Sequence, residues 1–393
     1  MRRIITRSCR SIASVANTVP EGIAIDLLFA AQPFTGLEHH GLHILRGLHR
    51  VGASVDVLVP ADIAPQIREA LEGHRVVTFG RVPRWARLGR EQWSIPWRFG
   101  SAPRGMRLLH SVAGVAPLLS SVPQVLTVPD LVYRIRPGDM HPRARWYFGR
   151  LGPRSIRRSR RVMVSSQAVC RQLIDLYHIA PERLAYVPLC AEPIFTPRPA
   201  EEVAAVRKRF GLPERYILYV GTVDPRKDLA RLRAAYELLP PDQADDSALV
   251  FVGRTNRGAE RLARDLRRPG TRGHVLAVDY VPRELLPAIY SGAAMFVYPS
   301  RYEGFGLPVL EAMSCGAPVI VSSAEALSEL VDDAGVVLRT DSVEELTQAM
   351  ERLLRFEDEP RRLREAGLKR ARTFSVDRIG RETAEVYRQA LAA

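Results

Sequence analysis

Short apolar runs that alternate with helical stretches along a whole chain leave few folds open. Seven such runs occupy the first half, at about Gly22–Ala30, Ser54–Pro60, Arg75–Gly80, Arg107–Val112, Gln124–Asp130, Arg161–Ser166 and Leu184–Leu189. Six more follow near Tyr216, Leu249, His274, Met295, Pro318 and Gly335. Many are continuously apolar, as strands covered on both faces are. The succession predicts an α/β chain of two doubly wound parallel sheets. At 393 residues it is long enough for two full cores. The proline-punctuated stretch from Ala191 to Pro199 reads as the linker. The expected division is a basic tail over 1–20, one domain over 21–195, a second over 196–373 and a terminal helix over 374–393.

The most informative chemistry lies in Arg301-Tyr302-Glu303-Gly304-Phe305-Gly306-Leu307-Pro308-Val309-Leu310-Glu311. Met295 to Ser300 reads as a buried strand ending in Pro-Ser. Pro308 suits the start of a helix, where a missing N–H costs nothing, and Gly316 with Pro318 marks its end. Gly304, Phe305, Gly306 and Leu307 are thereby expected as backbone amides at a helix N-terminus, a site for an anion such as phosphate. Glu303 lies before the turn and Glu311 about one helical turn inside it. A phosphate beside two carboxylates that seek hydroxyls suggests a sugar nucleotide. The plainer alternative is a strand–helix crossover with two solvated glutamates.

A second segment points the same way. Tyr216 to Gly221 reads as a strand, and Thr222 to Asp228 as the turn into a helix from about Leu229 to Leu239. Arg226 and Lys227 then sit at the carboxyl end of a strand, where open α/β sheets bind ligands. Arg as a planar fork and Lys as a point charge can neutralise a diphosphate, although adjacent Arg-Lys pairs are also common on surfaces. The chain has no G-x-x-x-x-G-K-[ST] loop and no strand-linked G-x-G-x-x-G, which weighs against a P-loop NTPase or a classical dehydrogenase.

From about Tyr216 to Leu354 the chain resembles the retaining family-4 glycosyltransferases of the GT-B fold (glycosyl transferases group 1). The resemblance rests on YVGTVDPRKDL, LVFVG, VDYVPRELLPAIYSGA, FVYPSRYEGFGLPVLEAMSCGAPVIVS and LSELVDDAGVVL. It implies two Rossmann-like domains facing across a cleft, with the last helix crossing back onto the first. It also implies transfer of a sugar from a nucleoside-diphosphate donor to an acceptor hydroxyl with retained configuration. Arg226 and Lys227 would hold the donor phosphates, Glu303 the transferred sugar and Glu311 the ribose hydroxyls. Gly304 to Leu307 would bind sugar and phosphate, with Gly221 and Gly36 also at the donor. Tyr280 and Val281 would lie near the base. No cofactor beyond the donor substrate is implied, and no essential metal is expected, since a cation pair faces the diphosphate and no Asp-x-Asp is present.

The first domain departs from the family pattern. Thr35-Gly36-Leu37-Glu38-His39-His40-Gly41 stands where a glycine-rich loop is common, and only Gly36 fits. Pro129-Asp130 stands where relatives show His-Asp, and Leu189-Cys190-Ala191-Glu192 where Asn-Gly follows a proline. His39, His40, His110 and His141 could substitute for the missing histidine, or be ordinary surface or core residues. The departures motivate an alternative: a catalytically degraded relative serving as a binding or scaffold subunit. A sugar-nucleotide hydrolase or phosphorylase on the same fold is a third reading.

The charge distribution is lopsided. Residues 1–200 hold 28 Arg and Lys against 13 Asp and Glu, whereas the remainder holds 29 against 30. Between 81 and 161 there are 17 arginines against Glu91, Asp130 and Asp139, together with all four tryptophans, Trp85, Trp93, Trp97 and Trp146. Arginine with tryptophan suits an anionic membrane surface. A polyanionic glycan acceptor or nucleic acid are the competing partners, and no nucleic-acid module accompanies the charge. The expected partners are therefore a nucleotide-sugar donor, a glycan or lipid-linked acceptor and an anionic membrane, without nucleic acid. Four widely spaced cysteines without C-x-x-C imply neither a disulfide framework nor a zinc site, which fits a reducing cytoplasm. No apolar run approaches the ~20 residues of a membrane span. Peripheral attachment at the inner face of the membrane, in cell-surface polysaccharide or glycolipid assembly, is the expected setting. Residues 1–20, with Arg2, Arg3, Arg7 and Arg10 and no acid before Glu21, read as a disordered basic tail or an early start codon.

Overall fold

Runs such as QVLTV, YILYV and ALVFV have no polar face to turn to water, and each forms a strand buried along its whole length. The computed structural model describes residues 19–30, 36–63, 65–80, 90–99, 105–256, 259–268 and 274–393. The expected tail up to residue 18, Trp85 and Thr35 lie outside them. The described chain divides into two units, one reaching Leu189 and including Ser375–Ala393, the other spanning Cys190–Phe374.

In the first unit seven parallel strands run in the order β3-β2-β1-β4-β5-β6-β7. They are β1 (Ile23–Asp26), β2 (Asp56–Pro60), β3 (Arg75–Phe79), β4 (Leu108–Ser111), β5 (Gln124–Val128), β6 (Arg161–Val164) and β7 (Leu184–Tyr186). Edge strand β3 is largely exposed, whereas β1, β4 and β5 are buried throughout, so the hydrophobic core follows the sheet centre. Three helices of this unit matter below: α1 (Gly36–Arg50), α2 (Arg90–Phe99) and α3 (Pro142–Arg158).

The second unit holds six parallel strands in the order β10-β9-β8-β11-β12-β13. These are β8 (Tyr216–Val220), β9 (Ala248–Val252), β10 (His274–Val278), β11 (Met295–Tyr298), β12 (Val319–Val321) and β13 (Val336–Val337). Helices α4 (Leu229–Glu237) and α5 (Leu307–Ser314) follow β8 and β11. Chain order reverses between β8 and β11, which pair directly through Ile217↔Met295 and Leu218↔Phe296. That reversal is the topological switch point, where a crevice opens beyond the strand ends. Residues 190–195 belong to this unit because Glu192 bonds to Arg283 and Phe195 packs edge-on against Tyr290 at 6.0 Å.

The last helix, α6 (Val376–Ala392), packs on the first unit, as expected. Its Gly380 meets Gly47 of α1 so closely that a Cβ on Gly380 would lie 2.0 Å from the Gly47 carbonyl oxygen. Deeper in, His110 bonds Tyr387 of α6 through Nδ1 and Thr127 through Nε2, each at 2.8 Å. Burial lowers His110 to about 3 and the neighbouring buried His40 to about 4. Both values lie below that of an unfolded histidine, so the unfolded chain binds protons first and stability falls as pH drops below 6.5. Between pH 6.5 and 5 the two together should cost about 3 kcal/mol, the slope per group growing towards ~1.4 kcal/mol per pH unit as the unfolded histidines become protonated. Urea midpoints across this range should show it, with His110→Gln removing about half of the slope. Among the described residues no helix is long and apolar enough to cross a membrane.

Candidate active site

β8 delivers the chain to the switch point through Gly221. Asp224 caps the short turn Pro225–Lys227, its carboxylate accepting from the Arg226 amide at 2.9 Å. Asp228 then adopts a left-handed conformation (φ 54°), which aspartate tolerates better than most residues, and starts α4. Arg226 and Lys227 are thereby fixed at the carboxyl end of β8. The turn is tied to the neighbouring strand: Arg301 N–H donates to the Arg226 carbonyl at 3.0 Å. Buried Arg231 pairs with Asp228 at 2.9 Å and donates to the Pro299 carbonyl at 3.1 Å.

β11 supplies the opposing residues. After Tyr298 the chain passes Ser300 and Glu303 and reaches Gly306, at φ 105° the cap of α5. A side chain there would be strained, and its Cβ would stand 2.5 Å from Leu327. Pro308 lies in the first turn, as expected, and the amides of Val309 and Leu310 return to the Gly306 carbonyl. Buried Phe305 packs edge-on against Phe374.

The two turns meet in one ion pair. The Lys227 ammonium donates to Glu303 and, at 2.7 Å, to the Tyr298 hydroxyl. Ser300 donates to the same Glu303 oxygen at 2.6 Å. Lys227 and Glu303 side chains are only 7% and 11% exposed, so water screens their attraction little. Burial alone would raise the Glu303 carboxyl, but Lys227 and Arg226 beside it and the bonds from Lys227 and Ser300 hold it below the usual carboxylate range. Burial lowers the Lys227 ammonium, and Arg226 adds to that, while Glu303 opposes it. Two of the three ammonium N–H groups serve Glu303 and Tyr298, which leaves one for an incoming group. Tyr298 stacks on Tyr219 at 5.7 Å and on Phe296 at 5.8 Å, so the base of the site is a rigid aromatic layer.

Glu311 is held separately. It is 3% exposed, accepting from Arg283 at 2.7 Å and from the Tyr290 hydroxyl at 3.1 Å. Burial keeps its carboxyl above the usual range in spite of both donors. Arg283 also pairs with Glu192 and lies 4.8 Å over the Phe195 ring. The second carboxylate is thus locked by a cation that a third carboxylate shares.

Of the sequence-nominated residues, Arg226, Lys227, Glu303, Gly304, Phe305, Gly306, Leu307 and Gly221 gather at the ends of β8 and β11, with Glu311 one turn into α5. Tyr280 is 58% exposed beyond β10, with the Arg254 guanidinium 4.5 Å over its ring, while Val281 is buried. Gly36 lies in the other unit, as the first residue of α1. There too Asp130 caps a turn by accepting from Val132 N–H, next to Pro129. His110 and His40 are core residues and His141 caps α3, so each has an ordinary structural place; His39 is buried as well. Tyr298, Ser300, Arg283, Tyr290 and Glu192 were not singled out by the sequence. Only Ser300, three residues before Glu303, carried a local signal. Cys170, Cys190 and Cys315 are buried thiols.

Two doubly wound parallel domains, the second with cations and carboxylates converging on its switch point, define the GT-B class. Within it, the chain belongs to glycosyltransferase family 4. The description Glycosyltransferase Family 4 matches residues 34–193, and Glycosyl transferases group 1 matches residues 203–370. The chain is 33% identical over 253 residues to the O-antigen chain mannosyltransferase B of Escherichia coli, covering 64% of this chain and 66% of that one. It thus spans less than two thirds of the length of that relative, and 27% of a serotype-specific mannosyltransferase of the same species to which it is 28% identical over 220 residues. Sucrose-phosphate synthase from Thermosynechococcus elongatus superposes with a TM-score of 0.73 at 21% identity, over 94% of this chain and 99% of that one. Anabaena HepE, solved with UDP and glucose, gives 0.70 at 17% identity, over 93% and 99%. At such identities the likeness establishes the fold.

Proposed function

We propose that the protein transfers a sugar from a nucleoside-diphosphate sugar to a hydroxyl of a glycan or lipid-linked acceptor, retaining the anomeric configuration. The setting is cell-surface polysaccharide or glycolipid assembly at the cytoplasmic side of the membrane. The Lys227–Glu303 pair at the switch point is the observation that carries this reading. A lone structural ion pair has no need of Ser300, Tyr298 and a helix N-terminus around it. In this reading Arg226 and the third N–H of Lys227 meet the diphosphate, together with the amides from Gly304 to Leu307. Charge growing on the leaving diphosphate is then stabilised by donors already in place. Glu303, ionised and oriented by Lys227 and Ser300, accepts from hydroxyls of the transferred sugar. Glu311 accepts from the ribose. The acceptor attacks the face the diphosphate leaves, and a phosphate oxygen takes its proton, so no separate general base is required. The reaction runs without an essential metal, because the cationic pair serves the phosphates.

The relatives named as mannosyltransferases make a nucleoside-diphosphate mannose the first donor to test. Thermal shifts should be measured with GDP, UDP, dTDP and ADP and their sugars, on wild type and on Arg226→Ala/Lys227→Ala. At ~100 times its dissociation constant the right ligand adds about 2.7 kcal/mol, a shift of a few degrees. One nucleotide should shift the wild type in the presence of a chelator, and none should shift the double variant. No shift with any nucleotide would move the scaffold reading ahead.

A further inference from the structure

The first unit carries a surface that neither the fold nor the proposed donor site uses. Helix α3 buries Tyr147, Gly152, Ser155 and Ile156. Its other side brings Arg143, Trp146, Arg150, Arg154 and Arg157 into one exposed stripe, spaced i, i+3, i+7, i+11 and i+14. The helix contains no aspartate or glutamate, and no carboxylate among the described residues pairs with these four arginines.

Beside the stripe three segments meet. Tyr147 of α3 donates to Glu91 of α2, which pins the two helices together. Gln92 of α2 donates to the Ala116 carbonyl at 2.8 Å and accepts from Leu118 N–H at 3.0 Å. The residue next to each contact stands in solvent: Trp93 is 73% exposed, Leu119 69% and Trp146 67%. Among the described residues these are the three most exposed large apolar side chains, and each is a sequence neighbour of a residue at the junction. Scattered apolar residues need no explanation, but the most exposed of them beside arginines without a carboxylate partner do.

We propose that this face docks on an anionic lipid bilayer. Trp93, Trp146 and Leu119 enter the boundary between headgroups and acyl chains, and the α3 arginines contact lipid phosphates. Indole rings favour that boundary because they pair an apolar body with one N–H donor. Arginines alone would serve an acidic glycan or nucleic acid equally well. Neither of those offers an apolar phase for a leucine and two indoles, and a bilayer offers both. The proposal stands independently of the donor site, since all of its residues lie in the first unit.

The test is co-sedimentation of the full chain with vesicles of phosphatidylcholine alone and of an equimolar phosphatidylglycerol–phosphatidylcholine mixture. Binding should require phosphatidylglycerol and fall with salt. Each arginine near the surface is worth about fivefold in partition, so Arg150→Glu/Arg154→Glu/Arg157→Glu should lose at least about a hundredfold. Trp93→Ala/Trp146→Ala should lose about tenfold or more on the same vesicles, and wild-type tryptophan emission should shift to the blue on binding. All of these residues are exposed, so both variants should melt like wild type, and a melting scan run alongside checks it. Equal binding to neutral vesicles, or none to either, would overturn the proposal. So would vesicle binding that the tryptophan changes leave intact while polyphosphate competes for it, which would assign the face to a polyanion.

Discussion

Lys227→Ala should lower kcat/KM by about a thousandfold, the scale on which removal of one preorganised donor to developing charge is felt. The effect comes by two routes. The ammonium proposed to face the leaving diphosphate disappears, and Glu303 loses its bond from Lys227. The same change leaves Glu303 buried without its cation. Breaking such a pair by removing one partner costs about 3–5 kcal/mol of stability, so loss of activity alone would be ambiguous. The double substitution Lys227→Met/Glu303→Gln removes both charges together and should recover most of the lost melting temperature. Glu303→Gln alone should also lose activity while leaving Lys227 a neutral acceptor. The proposed chemistry requires all three variants to be inactive and the double variant to be the more stable of those lacking the lysine. An active double variant would make the pair purely structural.

That the two residues pair at all illustrates what the sequence could and could not reveal. Each predicted strand is present, and the ends differ by a few residues, because continuous apolar runs such as YILYV have only one way to be buried. The turn chemistry was equally legible: Pro225, Gly306, Pro308 and Gly316 act locally, through their own backbone. Lys227 and Glu303 were nominated separately, one for phosphate and one for sugar. Their bond spans 76 positions and follows from the pairing of β8 with β11. The same holds for Arg283, 28 positions from Glu311 and 91 from Glu192. A single arginine at the start of a three-residue 3-10 turn has no periodicity or spacing to mark it. The Pro-rich stretch read as a linker supplies two contacts to Arg283 that its own sequence does not mark. Glu192 and Phe195 become informative only when Arg283 lies between them.

Glu311→Gln should raise the donor KM by about thirtyfold with a much smaller change in kcat. Hydrogen bonds to a charged acceptor are worth about 1.5–3 kcal/mol, and a ribose contact made equally in ground and transition states is uniform binding. A nucleotide lacking one ribose hydroxyl separates this role from a structural one. Wild type should bind the deoxy analogue of its donor nucleotide about thirtyfold more weakly than the ribonucleotide, and Glu311→Gln should barely distinguish the two. Equal discrimination by both proteins would remove Glu311 from the ribose. Tyr290→Phe refines the assignment, because it deletes one of the two donors that hold the carboxylate and leaves Arg283 in place. Losing one neutral donor costs about 1 kcal/mol, so discrimination should weaken by about fivefold. Arg283→Ala should act more severely, since Glu311 and Glu192 would then share a buried region without their common cation. In that variant carboxyl protonation is the way to relieve the repulsion, so the stability it loses relative to wild type should be partly recovered on mild acidification, read as a rise in its melting temperature.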